Sequence, residues 1–484
     1  MHFPRRIHGI ENEFGIVAQY PDGTITNLLD NHIGDLVCVT RIADSVLSRT
    51  SGKGHRVWHS SGACTYVDRG NHPEYATPEC SHIRDLVRYN KAGELIVRKM
   101  FDRQFSHGIR FLLFKNNIGY DTMTGASGVC DSFGCHENYS VRYYDHGKFD
   151  TADVKLKTFH RMIPFLATRQ LFDGAGWWDK DDHFHLSQRA SCIQKEFGTS
   201  AVHERPFMQM KADAVDPDLR LHIISGDANI CEFALYLKMG TTSLVLSLLE
   251  SGRCPNIICT NPIEALKAIS YHGDPYIRSL KMGNGSAMSA LDTQIVFLDA
   301  VRRELPCATY ADEELEHEIK QIVLYWEQTI NAIANHDHEW MNGRIDHATK
   351  KYLAEIQIAR TLSLDHSQQL DLCHNIDILY HAISNRALQQ RMNARWPARR
   401  IVTDVDIADA LEHAPSNTRA HLREKFVRAL IANEINSMEF HNWSRFDIHD
   451  QYGDHHSFDL PHGLETDRVG FDSFLSMIKR KRMP

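Results

Sequence analysis

Residues 62–80 read GACTYVDRGNHPEYATPEC, and this stretch decides how the rest of the chain is interpreted. Tyr66 and Asp68 lie two positions apart, so they face the same side if ACTYVD is a strand. His72 and Glu74 follow after a turn that is signalled by glycine and proline. The stretch therefore predicts a strand and a turn that gather polar side chains in one place.

A second acidic strand is predicted near the start of the chain, in RRIHGIENEFGIVAQY. Glu11 and Glu13 share one face of this strand, and the apolar Ile10, Phe14 and Ile16 fill the neighbouring positions. Carboxylates repeated on one face are costly to bury unless they bind a cation, whereas a solvent-facing edge carries them freely. Taken singly, each strand is equally consistent with a solvated sheet face.

Two further segments shift that balance towards a binding site. CHENYSVRYYD places His136 and Asn138 on one strand face, and RLHIISGDANICEF brings His222, Asp227 and Glu232 close to a strand-to-helix junction. A face that collects side chains from four segments, with oxygen ligands predominating, suits Mg²⁺ and phosphate better than zinc. The residues thus favour nucleotide chemistry.

Eight blocks of sequence follow one another along the chain: GIENEFGI, YVDRGNHPEYATPEC, LFKNN, GCHENY, PFLATRQL, LSQRA, RLHIISGDAN and LKMGTTSLVLSLLESG. In this order they resemble the Pup ligases and their relatives, the Pup deamidases or depupylases, which are akin to glutamine synthetase and other carboxylate-amine ligases. The resemblance runs from about residue 5 to about residue 461. The segment between the two acidic strands is short, which favours the ligase branch, because the deamidase branch carries a long insertion there.

The resemblance implies an α+β fold, with a curved, mostly antiparallel sheet packed on helices as in glutamine synthetase and with a small C-terminal domain. A domain boundary is predicted near Pro397, where a cluster of arginines precedes a new helix. Residues 1–397 would form the catalytic domain, and residues 398–484 would form a small domain that contributes to the nucleotide site.

The resemblance also implies roles for individual residues. It makes Glu11, Tyr66 and Glu74 ligands of Mg²⁺, Asp68 the proton acceptor and Thr77 a contact of ATP. It further implies that His222 and Glu232 belong to the same metal and phosphate shell.

Two more residues are candidates for nucleotide binding. The resemblance places a nucleotide-stacking indole at Trp443, although an isolated tryptophan is more often a core anchor. Residues 186–193, LSQRASCI, are predicted to be a strand that carries Arg189. Arginine suits a polyphosphate or a carboxylate, but Arg189 could equally form an ordinary ion pair.

In the resembled family, ATP phosphorylates the γ-carboxylate of the C-terminal glutamate of Pup, and a substrate lysine attacks the acyl phosphate. The implied cofactors are ATP and Mg²⁺. The implied partners are a Pup-like modifier and a lysine-bearing protein, or an alternative carboxylate substrate.

Two departures from the family pattern keep other functions open. Cys64 stands where the family has an arginine that it uses on ATP, and residues 209–218, QMKADAVDPD, replace a block that reads approximately NTRDEPHAD. The alternatives are a divergent ATP-using enzyme that phosphorylates or ligates another, smaller carboxylate, and a nucleotide-binding protein without turnover. A depupylase or deamidase is less favoured than a ligase.

Composition excludes several classes of protein. A net charge of −8 and a pI near 6.4 argue against a nucleic-acid partner, which would require a basic surface. The sequence shows no apolar run of membrane-spanning length and no signal peptide, which predicts a cytoplasmic protein without a membrane partner. Its 11 cysteines, scattered without a C-x-x-C pair, are typical of thiols in a reducing compartment.

Overall fold

The structure is a computed structural model. The part of the chain that it describes comprises residues 1–22, 25–27, 47–48, 56–68, 72–102, 110–119, 123, 132–142, 159–201, 203–211, 218–361, 363–383, 386–433, 439–449, 454–460 and 462–478.

The strands are β1 (His2–Phe3), β2 (His8–Glu13), β3 (Gly15–Gln19), β4 (Ile25–Asn27), β5 (Leu47–Ser48), β6 (Arg56–Trp58), β7 (Cys64–Val67), β8 (Pro73–Ala76), β9 (Arg110–Phe114), β10 (Cys135–Arg142), β11 (Trp177–Trp178), β12 (Phe184–His185), β13 (Lys195–Phe197), β14 (Pro206–Lys211), β15 (Asp218–Ile223), β16 (Leu280–Lys281), β17 (Ala287–Met288), β18 (Thr309–Tyr310), β19 (Glu439–Asn442), β20 (Arg445–His449) and β21 (His455–Asp459).

The helices are α1 (Ile83–Asp102), α2 (Ile163–Thr168), α3 (Gln170–Asp173), α4 (Glu232–Glu250), α5 (Pro262–His272), α6 (Ala290–Glu304), α7 (Glu313–Ala334), α8 (His338–Met341), α9 (Asp346–Arg360), α10 (His366–Tyr380), α11 (Arg386–Arg395), α12 (Asp404–Glu412), α13 (Ala420–Ala432) and α14 (Phe471–Ser476). The predicted mixture of helices with mostly antiparallel strands is confirmed. Among the described residues, no helix is both long enough and apolar enough to cross a membrane.

The chain divides into two compact units. Unit 1 comprises Met1–Arg6 and Lys115–Ile401, and unit 2 comprises Ile7–Phe114 and Val402–Pro484. The predicted division at residue 397 follows chain order, whereas each unit takes two stretches of chain. That division stays a prediction.

Unit 1 is built around helix α4. Its sequence, EFALYLKMGTTSLVLSLLE, is apolar on most sides, as expected of a helix that is buried along nearly its whole length. It packs against strand β10 and against helices α6 and α7. Strands β13, β14, β15 and β10 run side by side in that order, with β15 antiparallel to β10 and Asn138 opposite His222.

The predicted strand at residues 186–193 is wrong, because this segment forms turns. The carboxylate of Asp227 accepts hydrogen bonds from the backbone N–H groups of Ala175 at 2.7 Å, Gln188 at 2.9 Å and Arg189 at 2.8 Å. These donors are satisfied by a side chain, so the segment needs no neighbouring strand to pair with.

The described residues of unit 2 form three antiparallel groups of strands. Strands β2, β8, β7, β6 and β5 run side by side in that order, β3 lies between β4 and β9, and β20 lies between β19 and β21. Helix α12 packs on α1. Residues of β6 and β7 share an apolar cluster with the C-terminal segment, whose largest buried members are Trp58, Leu422, Phe426, Phe446, Phe471 and Phe474.

Candidate active site

The strand register in unit 2 gathers the predicted acidic residues on one sheet face. Glu13 lies opposite Glu74 in the β2–β8 pair, and Tyr66 lies opposite Glu74 in the β7–β8 pair. Residues that are directly opposite in paired strands share a face, and Glu11 lies two positions from Glu13 on the same side. We call this surface, defined by Glu11, Glu13, Tyr66, Glu74 and the adjoining Asp68, the acidic face.

The reverse side of these strands is closed by helix α1. The Tyr75 hydroxyl donates to the backbone carbonyl of Tyr89 at 3.0 Å, and the Asn12 side chain donates to Asn90 Oδ1 at 2.8 Å. Gly93 permits this close packing, because a Cβ atom there would lie 2.1 Å from the Tyr75 ring. The strands that carry the acidic face therefore rest on a fixed support.

Glu74 is the most constrained carboxylate of the acidic face. Its side chain is 4% exposed, and Oε1 accepts a hydrogen bond from the Tyr66 hydroxyl at 2.7 Å. Burial raises the pKa of Glu74 well above its usual value, and the nearby carboxylates of Glu11 and Glu13 raise it further. A cation bound at this face would favour the ionised form of Glu74.

Tyr66 shares these surroundings. Burial raises the pKa of its phenol well above the usual value, and the charges of Glu11 and Glu74 act in the same direction. In the protein alone, the Tyr66 hydroxyl thus remains protonated and serves as a donor.

Asp68 lies at the end of the acidic face in a second group of potential ligands. The backbone N–H of His72 donates to Asp68 Oδ1 at 2.8 Å, and His72 Nδ1 lies 2.8 Å from Glu13 Oε2. Ligand atoms of Glu13, Asp68 and His72 all lie within 4.8 Å of one another. The hydrogen bond from the His72 N–H therefore holds Asp68 beside the Glu13 carboxylate.

The donor set of the acidic face fits a hard divalent cation. Carboxylate and phenol oxygens are ligands of the kind that Mg²⁺ takes, and such a cation would relieve the repulsion that raises the pKa of Glu74. The sequence pattern places Glu13 and His72 near this face but indicates no role for them. The strand register is the signal that would have added them to the candidate ligands.

Thr77 follows directly after strand β8 and is buried. Its hydroxyl oxygen accepts a hydrogen bond from the backbone N–H of Ile10 at 3.0 Å, and its own N–H donates to the Ile10 carbonyl at 3.0 Å. Thr77 is thus fixed to strand β2 in the same sheet as the acidic face.

Trp443 is half-buried in unit 2. Its ring meets the Trp58 ring edge-on with centroids 4.8 Å apart, and the Arg423 guanidinium lies 4.8 Å from its centroid. Its backbone carbonyl accepts a hydrogen bond from Arg423 at 2.7 Å. These contacts correspond to the core-anchor alternative that the sequence left open.

A buried ion-pair network lies just beyond strand β8 and had no sequence signal. Glu79 accepts hydrogen bonds from the guanidinium of Arg423 at 2.7 and 2.8 Å and from Arg419 at 2.7 Å. Burial alone raises the pKa of Glu79, but the charges of Arg423 and Arg419 outweigh it and lower the pKa to about 2. The network joins the two stretches of chain that form unit 2.

The other three predicted residues lie in unit 1. The Arg189 guanidinium donates to the Ile224 carbonyl at 3.2 and 3.1 Å and also contacts Ser132 Oγ. His222 Nδ1 lies 2.8 Å from Asn138 Oδ1.

Glu232 begins helix α4, where it accepts from the backbone N–H of Ile401 at 2.8 Å and from Arg400 Nε at 3.3 Å. Its position at a helix N-terminus also favours a negative charge. Arg189 and Glu232 are thus both engaged within unit 1. Residues 212–217, which include most of the divergent block, lie outside the described residues.

Comparison with known proteins gives relatives along nearly the whole chain. Residues 6–446 match the family model described as Pup-ligase protein. The Pup–protein ligase of Acidimicrobium ferrooxidans is 33% identical over 465 residues, which cover 92% of this chain and 93% of that protein. The Pup–protein ligase of Paenarthrobacter aurescens is 33% identical over 464 residues, covering 92% of this chain and 94% of that protein.

Two solved structures are similar in fold and in sequence. The complex between the prokaryotic ubiquitin-like protein Pup and its ligase PafA is 28% identical, with a TM-score of 0.82 over 98% of this chain and 92% of that one. The Pup ligase PafA in complex with ADP is 27% identical, with a TM-score of 0.74 over 87% of this chain and 90% of that one.

Proposed function

Because this chain belongs to the family of Pup-ligase proteins, we propose that it joins the C-terminal glutamate of a Pup-like modifier to lysine side chains of target proteins in an ATP-dependent reaction. The similar PafA structures are complexes with Pup and with ADP, which supports a protein modifier and a nucleotide as reactants. The product is an isopeptide bond, so the activity is that of an ATP-dependent carbon–nitrogen ligase.

The reaction requires activation of both substrates. A carboxylate is a poor acyl donor until transfer of the γ-phosphoryl group of ATP converts it into an acyl phosphate. A lysine ammonium is not a nucleophile until a base removes a proton, since its usual pKa is about 10.4. The protein must therefore position a nucleotide beside one carboxylate and supply a base for the amine.

The observation that carries the proposal is the burial of Glu74 among other carboxylates, opposite Tyr66. We assign Glu11, Tyr66 and Glu74 as the residues that hold Mg²⁺. When bound, the ion supplies positive charge that offsets the phosphates during transfer. The residues themselves supply a fixed set of oxygen donors on a sheet that is backed by helix α1.

Asp68 is the proposed base. The backbone N–H of His72 holds Oδ1 of Asp68 at 2.8 Å, which orients the carboxylate. Asp68 takes the proton that the lysine loses as its nitrogen forms the bond to the acyl carbon. Phosphate then departs from the acyl carbon.

The other residues that the resemblance or the sequence pattern assigns to the site are supported to different degrees by their contacts. Thr77 and Trp443 stay proposed contacts of the nucleotide, and His222 stays a proposed member of the metal and phosphate shell. The hydrogen bonds of Arg189 and Glu232 within unit 1 favour structural roles for these two residues. A cytoplasmic location stays a prediction of the sequence.

The direct test combines the purified chain with ATP, Mg²⁺, a Pup-like protein that ends in glutamate and a lysine-bearing target. We expect a conjugate whose tryptic fragments contain the isopeptide, formed only when ATP and Mg²⁺ are both present. Hydroxylamine in place of the target should trap the acyl phosphate as a hydroxamate. Absence of ATP binding in the presence of Mg²⁺ would contradict the proposal.

A second outcome distinguishes a ligase for a Pup-like protein from an ATP-using enzyme that acts on another carboxylate. If the chain binds ATP with Mg²⁺ but forms neither conjugate nor hydroxamate from the Pup-like protein, the carboxylate substrate is a different one. The same hydroxylamine assay with small carboxylates such as glutamate then identifies the substrate class.

A further inference from the structure

Strand β6 places an arginine on the acidic face. Arg56 lies opposite Tyr66 in the β6–β7 pair, and therefore its side chain shares the face of Tyr66 and Glu74. Its guanidinium carbon lies 5.4 Å from the centroid of the Tyr66 ring. This face thus carries a cation beside its carboxylates, one strand further from Glu74 than Tyr66 is.

The guanidinium of Arg56 is half-buried and makes no hydrogen bond or ion pair with any residue in the described part of the chain. Arg423 of the same unit, by contrast, directs its nitrogens to Glu79, to the Gly62 carbonyl and to the Trp443 carbonyl. A guanidinium has five N–H donors, and partial burial without acceptors has a cost in free energy. Within the described part of the chain, Arg56 is therefore available to an acceptor such as a bound ligand.

The surroundings limit what that acceptor can be. The carboxylates of Glu11 and Glu13 repel a bare anion, so an anion beside them must arrive together with cations. A nucleotide polyphosphate with Mg²⁺ meets this condition. The planar fork of arginine also matches phosphate oxygens better than the point charge of lysine does.

We propose that Arg56 binds the polyphosphate of the nucleotide. This inference rests on the proposed function, because it requires that the acidic face take up ATP with Mg²⁺. Arg56 would fix the position of the phosphates from the side of strand β6, while the carboxylates act from the side of strands β2 and β8.

The test compares Arg56→Gln and Arg56→Lys with a matched control, Arg110→Gln. Arg110 is an exposed strand arginine of the same unit, at the start of β9, and its side chain likewise makes no hydrogen bond or ion pair among the described residues. Affinities for ATP, ADP and adenosine are measured by calorimetry in the presence of Mg²⁺, and melting temperatures show whether each variant folds.

We expect Arg56→Gln to weaken ATP and ADP by roughly tenfold or more, because a hydrogen bond to a charged group is lost, and to leave adenosine unchanged. Arg56→Lys should fall between Arg56→Gln and the parent. Arg110→Gln should bind all three ligands like the parent. If Arg56→Gln does not fold, Arg56→Lys serves as the test variant. We then expect weaker binding of ATP than in the parent and unchanged binding of adenosine.

Three results would overturn the inference: parental ATP affinity in folded Arg56→Gln, an equal loss of affinity for adenosine, or an equal loss of ATP affinity in Arg110→Gln. In each of them the parent still binds ATP, so the proposed function stands. A parent that binds no ATP with Mg²⁺ overturns both.

Discussion

Glu74 and Glu79 are both buried glutamates of unit 2, 4% and 8% exposed, and they lie close together in the chain. Glu74 faces other carboxylates, which add to the effect of burial and raise its pKa. Glu79 faces Arg423 and Arg419, which overcome the effect of burial and lower its pKa to about 2. The same residue type is thus placed in two opposite electrostatic environments.

The difference distinguishes a glutamate that stabilises the fold, Glu79, from a glutamate of the proposed binding site, Glu74. Glu79 has its counter-charges within the chain, so its ionised form contributes to stability once the fold is complete. Among the described residues, the Tyr66 hydrogen bond favours the charged form of Glu74 but does not outweigh burial and the neighbouring carboxylates, which is typical of a binding site. Four experiments sharpen or break this comparison.

The largest effect on stability should come from Arg423→Met. The substitution keeps much of the side-chain bulk next to Trp58 and Trp443 but removes the charge that faces Glu79. Removing one partner of a buried ion pair costs about 3–5 kcal/mol. We expect a large drop in the free energy of unfolding in urea. Arg428→Met is the matched control on the same helix, because the Arg428 side chain is 43% exposed and its charge remains in contact with solvent when it pairs with Glu424, so its removal should cost less. Equal losses in the two variants would contradict a stabilising role for the Glu79 network.

Asp68→Asn should produce the next largest effect, on activity rather than stability. The amide can still accept a hydrogen bond from the His72 N–H, but it cannot take a proton. We expect single-turnover isopeptide formation to fall by about 10²-fold or more, with parental melting temperature and ATP affinity. Asp85→Asn, at a partly exposed aspartate that pairs with Arg88, should ligate like the parent. A folded Asp68→Asn that binds ATP and ligates at the parental rate would exclude Asp68 as the base.

The pH dependence of the free energy of unfolding should show the contribution of ionised Glu79. Its pKa is lowered from 4.5 to about 2 in the folded chain, so its contribution is complete above pH 4.5 and is lost as the pH falls towards 2. This group should remove about 1.4 kcal/mol of unfolding free energy per pH unit within that window. Urea titrations between pH 5 and about 3.5 should therefore show a steeper loss in the parent than in Glu79→Gln. Parallel curves would mean that Glu79 is not ionised by its arginines.

Glu74→Gln should have the smallest and opposite effect on stability. The amide oxygen still accepts from the Tyr66 hydroxyl, and the variant avoids the cost either of protonating the Glu74 carboxylate or of burying its charge among other carboxylates. We expect the metal-free variant to be more stable than the parent by up to about 1 kcal/mol, whereas Glu79→Gln should be less stable than the parent. Mg²⁺ with ATP should raise the melting temperature of the parent and not that of Glu74→Gln. A destabilised Glu74→Gln would mean that placing Glu74 among the other carboxylates does not cost stability.

The sequence predicts the acidic face well because strand alternation is local. Two-residue spacing alone places Glu11 with Glu13 and Tyr66 with Asp68, and the register then joins the two strands through Glu74. Glu11 and Glu74, which the resemblance assigns to one metal, lie on the same face of the sheet.

Interactions between distant side chains are what the sequence could not supply. Residues 186–193 have the apolar content of a strand, but the Asp227 carboxylate binds their backbone and holds them in turns. Likewise, nothing near Glu79 in the chain indicates that Arg423 neutralises it. Local patterns report periodicity, whereas these contacts depend on the completed fold.

The distance along the chain between Glu79 and Arg423, 344 residues, has a consequence for biosynthesis. A ribosome that adds about 5–20 residues per second needs roughly 20–70 s to reach the arginine after the glutamate has emerged. During this interval the nascent N-terminal strands lack the counter-charge for Glu79. Every chain that ends prematurely, before the arginine, leaves that glutamate without it. The fold is therefore stabilised only when synthesis has passed Arg423. We expect shortened products of this gene to be degraded by proteases rather than to persist as inactive competitors of the enzyme.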